Sequence, residues 1–320
     1  MNKYTLRQLE YLVACVDNRS IAKAAKLMNV SQPTISVAIS KLEAQFGVQL
    51  LLRHHSQGVS ATPSANNILT SARSLLAHAE DLQRQAMLTG TAIAGDLRLG
   101  SFSTLAPLIL PGLIRTYTQS YPDVRIHIQE GTEEQLLKNL YDGQLDIAML
   151  YDVGLPENLR RVELALRRPY IALPFGHHLA EFPAVRLSQL VDEPLILLDI
   201  APSRQFFLSL FKSAGLTPKI AHTSPSLELV RGMVGHGLGY SILVTRPHGD
   251  LTYDGKKLAI RPLESATENS LIILASLADL RQTRLVASFE DVALRFAPAV
   301  QTARTAAQKM PSPLVKTARL

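Results

Sequence analysis

The spacing of apolar residues changes character near residue 90, and that change divides the chain. From Leu6 to Ala86 apolar side chains recur every three or four residues, the period of amphipathic helices. From Gly95 onward they come in short runs, Leu97 to Gly100, Val124 to Ile128 and Ile147 to Leu150, separated by helical stretches ending at Tyr117 and Tyr141. That is the rhythm of an α/β domain with a parallel sheet. At 320 residues the chain is also too long for one hydrophobic core, so two or more folded units joined by a helix are expected.

Composition narrows the class. With 47% hydrophobic and 19% charged residues the chain reads as globular. Apolar runs fall short of the roughly 18 residues that span a bilayer, and the opening Met1-Asn2-Lys3-Tyr4-Thr5 lacks the apolar core of a signal peptide. A cytoplasmic protein without a membrane partner is the expectation. The single cysteine, Cys15, excludes an intramolecular disulfide and a cysteine-cluster metal site, and its apolar helical face makes it a small core residue. Net charge is +6, and residues 1–62 hold seven bases against three acids. Such a surplus attracts phosphates without identifying a nucleic-acid partner. No acid follows Asp291, while Arg295, Arg304, Lys309, Lys316 and Arg319 remain, so residues 301–320, with Pro311 and Pro313, are expected to form a disordered basic tail.

Leu6, Leu9, Leu12, Val13 and Val16 predict a first helix, and Ile21, Ala24, Ala25 and Met28 a short second one. Asn29 suits a left-handed stop. Ser31 then caps a third helix with Pro33 in its first turn, Val30 staples onto Ile35, and Ile35, Ile39, Leu42 and Phe46 form its buried stripe. Two helices joined by a tight turn make a helix-turn-helix, whose second helix enters the major groove. Its outer side carries Gln32, Thr34, Ser36, Val37, Ser40 and Lys41: Gln32 suits adenine, Ser36 a base edge or phosphate, and Val37 a thymine methyl. The same pattern fits a capped surface helix facing water, and periodicity leaves both readings open.

The wording of Ser20 to Arg53, "SIAKAAKLMNVSQPTISVAISKLEAQFGVQLLLR", closely resembles the signature of LysR-type transcriptional regulators. The resemblance implies a winged helix-turn-helix over 1–62, all-α apart from its wing. Ser31, Gln32, Pro33, Thr34, Ser36, Val37, Ser40, Lys41 and Arg53 are then the DNA-binding candidates, with Arg53 near the backbone or minor groove. Leu51, Val37 and Ser40 depart from the family's usual Phe, basic or amide residue, and Arg, which bears on sequence preference. The adjacent His54 and His55 lack the spacing of a metal pair and read as a solvated wing tip.

Thr62 and Pro63 open a linker helix over 63–90, bounded by Gly90 and Gly95. Its stripe of Ile68, Leu69, Ala72, Leu75, Leu76, Ala79 and Leu82 can lie on its own domain or pack on a second copy as in a coiled coil. The family resemblance supports a homodimer, or a tetramer of two dimers, on an inverted-repeat operator in double-stranded DNA.

Residues 91–300 are the expected effector domain: lobe I over about 95–165 and 269–300, lobe II over about 166–268. "GDLRLGSFSTLAPLILPGL", "YPDVRIHIQEG", "LYDGQLDIAML" and "GHGLGYSIL" resemble the LysR-type co-inducer domain, a two-lobed α/β fold similar to type-two periplasmic solute-binding proteins. His178 and the pair Val244-Thr245 replace residues that are often proline, and are read as altering loop shape only. Ser101, Phe102, Ser103 and Thr104 follow the first strand, Thr132 the second and Tyr151 the third, with Pro202, Ser203, Arg204 and Ser226 placed alike in lobe II. Their hydroxyls and backbone N–H groups suit a small polar effector, an organic anion if Arg204 pairs with it, and serve equally as helix caps. Gly235, Gly237 and Gly239 end a helix and lead into a strand, the reverse of a dinucleotide loop. Without a phosphate loop, spaced zinc ligands or a nucleophile elbow, neither an enzyme nor a cofactor is expected. The competing reading is a solute-binding protein whose N-terminal helices merely dimerise it.

Overall fold

The computed structural model of the protein describes residues 4–54, 58–87, 93–264 and 270–308. Helices α1 (Leu6–Asn18), α2 (Ile21–Leu27) and α3 (Gln32–Phe46) open the chain. Thr5 and Gln8 cap α1 reciprocally, and α1 ends on a left-handed Arg19. After α2, Asn29 takes φ 54°, as its residue type predicts. The Val30 N–H donates to Ala25 O and the Asn29 N–H to Lys26 O, the paired bonds of a Schellman stop. The next turn lands on Ser31, whose hydroxyl accepts the Thr34 N–H at 3.3 Å and starts α3. Leu9, Leu12, Cys15, Ala24, Ile35, Ile39 and Leu42 fill the core between the three helices.

The wing is a hairpin of β1 (Leu51–His54) and β2 (Gly58–Ala61). The Glu43 carboxylate accepts the N–H of Leu50 at 2.8 Å and of Leu51 at 3.2 Å, and the Arg19 carbonyl accepts the Val59 N–H at 3.1 Å. The wing therefore hangs between the end of α3 and the turn after α1. Gly58, at φ 93°, passes so close that a Cβ would lie 2.1 Å from the Arg19 carbonyl oxygen.

Helix α4 (Pro63–Met87) is opened by Thr62, whose hydroxyl accepts the Ala65 N–H at 3.1 Å. Its apolar stripe is shared rather than free for a partner along its whole width. Ala65, Leu69 and Ala72 are buried in the core of the first three helices, and Ile68 and Leu76 pack against it, because α1 lies across α4. Leu75 and Leu82 stay 41% and 68% exposed.

The second unit runs β3 (Gly95–Phe102), α5 (Ala106–Ser120), β4 (Val124–Gly131), α6 (Glu133–Tyr141), β5 (Ile147–Tyr151), β6 (Leu159–Arg167), β7 (Tyr170–Pro174), β8 (Pro194–Leu198), α7 (Ser203–Ser213), β9 (Lys219–Ser224), α8 (Leu227–Gly235), β10 (Ser241–Leu243), β11 (Leu258–Pro262), β12 (Ser270–Leu277) and α9 (Arg284–Gln308). Lobe I is a five-stranded sheet ordered β4-β3-β5-β12-β6. Lobe II repeats that plan as β9-β8 and β10-β7-β11, joined by a parallel bridge between Leu195 and Tyr240. The sheets are mixed, not parallel as expected: β12 and β7 run antiparallel to both their neighbours. Each arrives from the opposite lobe, so the chain crosses between lobes after β6 and again after β11. Helix α9 continues to Gln308, eight residues into the stretch expected to be a tail.

Gly58→Ala adds both a forbidden contact and a strained φ, so it should destabilise the first unit by about 2 kcal/mol or more. Urea unfolding of the full chain, followed with DNA affinity, measures the loss; wild-type stability would mean that the wing is not clamped to Arg19.

Candidate DNA interface and effector cleft

The Schellman stop and the Ser31 cap fix the direction of α3, and its burial pattern sorts its faces. Ile35, Ile39 and Leu42 point inward, while Ser31, Gln32, Pro33, Thr34, Val37, Ser40 and Lys41 are exposed and Ser36 is half-buried. Val37 is 55% exposed, high for an apolar residue at the centre of a capped helix. The Ser31 hydroxyl also lies 2.8 Å from the Thr34 hydroxyl, which leaves Gln32 as the longest uncommitted polar side chain of the first turn. Arg53 is exposed on the wing opposite Val59, and the neighbouring His54 bonds the Ser60 hydroxyl at 2.8 Å. His55 lies outside the described residues.

In lobe I, β3, β4 and β5 are parallel, with Phe102 beside Gly131 and Ser101 beside Met149, so the residues after their C-terminal ends share one edge of the sheet. Ser103, Thr104, Thr132 and Tyr151 stand there. In lobe II, β8 and β9 end together at Leu198 and Ser224, which puts Pro202, Ser203 and Ser226 on the matching edge. The two edges meet directly. The Tyr151 hydroxyl hydrogen-bonds the Thr245 hydroxyl of lobe II and lies 3.5 Å from the Thr104 hydroxyl, while the Tyr170 hydroxyl donates to the Thr245 carbonyl at 3.0 Å. Phe102 packs edge-on against the Tyr151 ring at 5.7 Å.

The individual roles differ from expectation. None of Ser101, Ser103 and Thr104 caps a helix: α5 begins after Leu105 with no side-chain cap. Ser101 is fully buried and donates to the Phe102 carbonyl, and the Ser103 N–H is not free, since it extends the β3–β4 ladder to Gly131 O at 3.2 Å. Thr132 and Ser226 do act as caps, accepting the N–H of Gln135 and of Leu229. Arg204 is ion-paired with Asp199 at 2.9 Å, so its charge is already balanced.

Thr245 and Glu133 were missed in the sequence. Thr245 does more than shape a loop: it lies just past the end of β10, as Tyr151 stands at the end of β5, and that placement was the available signal. Glu133 opens α6 beside Thr132 with a buried, unpartnered Oε2, and burial pushes its carboxyl up to about 7. His177, His178 and Glu193 form an unanticipated group with metal-ligand chemistry. The His177 Nδ1, however, accepts the Leu179 N–H at 3.2 Å, which leaves the proton on Nε2 and removes that nitrogen as a ligand.

A capped reading helix with a wing, carried by a long helix ahead of a two-lobed sheet domain, defines the class of DNA-binding regulators with a ligand-sensing half. Two sequence profiles match the chain: bacterial regulatory helix-turn-helix protein, lysR family, over residues 6–66, and LysR substrate binding domain over residues 90–298. The chain belongs to the LysR family of transcriptional regulators. It is 32% identical over 239 residues to the transcriptional dual regulator OxyR of Escherichia coli K12, covering 74% of this chain and 78% of that one. The structure of HinK, a LysR family regulator from Pseudomonas aeruginosa, is 41% identical with a TM-score of 0.62, covering 92% of this chain and 98% of that one. A full-length OxyR variant from Pseudomonas aeruginosa aligns with a TM-score of 0.74 at 25% identity, covering 91% and 97%. No described helix is long and apolar enough to cross a membrane.

Gln32→Ala should narrow the gap between operator and random duplex by about 1 to 3 kcal/mol. Arg53→Ala should weaken both alike and lower the salt slope by about one. Fluorescence anisotropy against labelled duplexes across a salt series reads both, and an Arg53→Ala variant with an unchanged slope would remove the wing from the interface.

Proposed function

We propose that the protein binds an inverted-repeat operator as a homodimer, or as a tetramer of two such dimers, and that a small polar molecule between the lobes biases this binding. The observation that carries the reading is the hydroxyl chain Thr104, Tyr151 and Thr245, which spans both lobes at the ends of their strands. A ligand entering there breaks or extends that chain, so it favours one lobe arrangement over another, and only such differential affinity can shift a DNA-bound state. The cleft edges offer hydroxyls that both donate and accept, and Arg204 already has its counter-charge. The effector class is therefore a neutral or zwitterionic polar metabolite rather than the organic anion expected from the sequence. DNA binding carries with it a cytoplasmic location at the nucleoid.

Relatives named as hydrogen peroxide-inducible genes activators raise peroxide as an alternative effector. Cys15 is the only cysteine in the sequence, it is fully buried in the reading head, and burial pushes its thiol up to about 11. A thiol with so little thiolate at neutral pH is a poor peroxide sensor. For the dimer, the outward half of α4, with Leu75, Ala79 and Leu82, supplies the seam, while Ile68, Leu69, Ala72 and Leu76 serve the chain's own core.

A thermal-shift screen of amino acids, organic acids and aromatic metabolites on the full chain, followed by calorimetry of the best hit, tests the cleft. Thr245→Val should weaken that hit about tenfold and leave effector-free DNA affinity unchanged; wild-type affinity in this variant would move the effector elsewhere. Leu75→Glu should convert the dimer to monomer in sedimentation, and an unchanged oligomer would place the seam off this face.

A further inference from the structure

A crevice of about 60 Å³ opens where α4 meets lobe I, apart from the interlobe cleft. Thr70 and Arg73 of α4 form one wall, and Arg98, Ser276, Arg281 and Gln282 of lobe I contribute to the other. Its volume is several times what a single water needs, roomy enough for a small oxyanion. Two polar atoms in its lining residues lack partners: the Arg73 Nε and the Ser276 hydroxyl, on residues 8% and 5% exposed. Buried donors are almost always satisfied, so these orphans call for an acceptor.

The charges around the crevice fix the sign of that acceptor. The Arg73 guanidinium holds Asp17 of α1 through both terminal nitrogens, one at 3.0 Å. Arg98 is bound to Asp146 at 2.6 Å and to the Gly143 carbonyl at 2.9 Å. The Gln282 amide donates to Glu290 at 2.7 Å. Arg281 is exposed and has no ion-pair partner among the described residues. Two balanced pairs plus one unbalanced guanidinium leave a single positive charge, and arginine offers donors only.

We propose that this crevice binds one small oxyanion, a phosphate or a carboxylate, on Arg281, the Ser276 hydroxyl and the Arg73 Nε–H. The position gives such an anion leverage. The Thr70 hydroxyl donates to the Tyr141 carbonyl at the end of α6, and a Cβ at Gly143 would lie 2.9 Å from the Arg73 Cδ, so α4 presses on the α6–β5 turn. Arg73 thus touches the reading head through Asp17 and lobe I through Gly143, and an anion on its Nε ties the two units at their contact.

Titration calorimetry of the full chain with inorganic phosphate, at ionic strength held constant by sodium chloride, tests the site, and a parallel titration with acetate separates a phosphate source from a carboxylate one. The expected result is one anion per chain, weakened tenfold or more in Arg281→Gln and several-fold in Ser276→Ala. Both variants should fold, since Arg281 is exposed and the Ser276 hydroxyl has no partner to lose. Anion binding at the DNA-reading face would persist at wild-type strength in both variants, and that result overturns the proposal. So does the absence of binding by either anion to the wild type.

Discussion

Each lobe of the sensing half is completed by a strand from chain that has just left the other lobe, and this exchange constrains everything built on it. With β7 and β12 inserted antiparallel into otherwise parallel sheets, neither lobe can close its core alone. The lobes are also tied side chain to side chain, since the Tyr151 hydroxyl of lobe I hydrogen-bonds the Thr245 hydroxyl of lobe II. The exchange also decides which sheet edges face one another. Parallel strands send their C-terminal ends to one edge, and the crossings turn those two edges toward each other. Tyr151 and Thr245 meet there because β5 ends at Tyr151 and Thr245 lies just past the end of β10.

The reading head is organised by backbone caps more than by bulk. A left-handed Arg19, a left-handed Asn29 and the Ser31 hydroxyl set three successive turns, and the apolar stripe of α3 then leaves its polar side outward. Burial of Leu12, Ile35, Ile39 and Leu42 contributes about 1.5 to 3 kcal/mol each. It is the caps that determine which way this stabilised helix points. The Glu43 carboxylate extends the same logic to the wing, since one side chain receives two N–H groups that the chain exposes on leaving α3.

Helix α4 belongs to both units. Its inner face completes the reading-head core, and at the same level it rests on the α6–β5 turn through Thr70 and Arg73. The pair of Arg73 with Asp17 joins a side chain 8% exposed to one 39% exposed, so it is only partly screened by solvent. Asp17, Arg73 and Gly143 thus join α1 to lobe I by a short, partly buried path.

Much of this was legible in the sequence where the signal is local. Helix periods, the Asn29 stop, the Ser31 cap and the long stripe of α4 depend on residues within a few positions of each other, and the structure agrees with them. Strand direction was not legible, because β12 and β7 read as ordinary apolar runs whether they pair parallel or antiparallel. The stripe of α4 also hid a division of labour: Leu69 and Leu75 look alike in sequence, and only the position of α1 makes one core and the other surface. The same holds for Arg204, which sequence alone leaves unpaired and the fold places against Asp199. The sequence by itself determined the local elements, the outward face of α3 and the family, since those rest on short-range periodicity and caps. Tertiary structure alone decided which hydroxyls meet across the lobes, which charges remain unbalanced and how α4 divides its apolar face, because each of these depends on contacts between residues far apart in the chain.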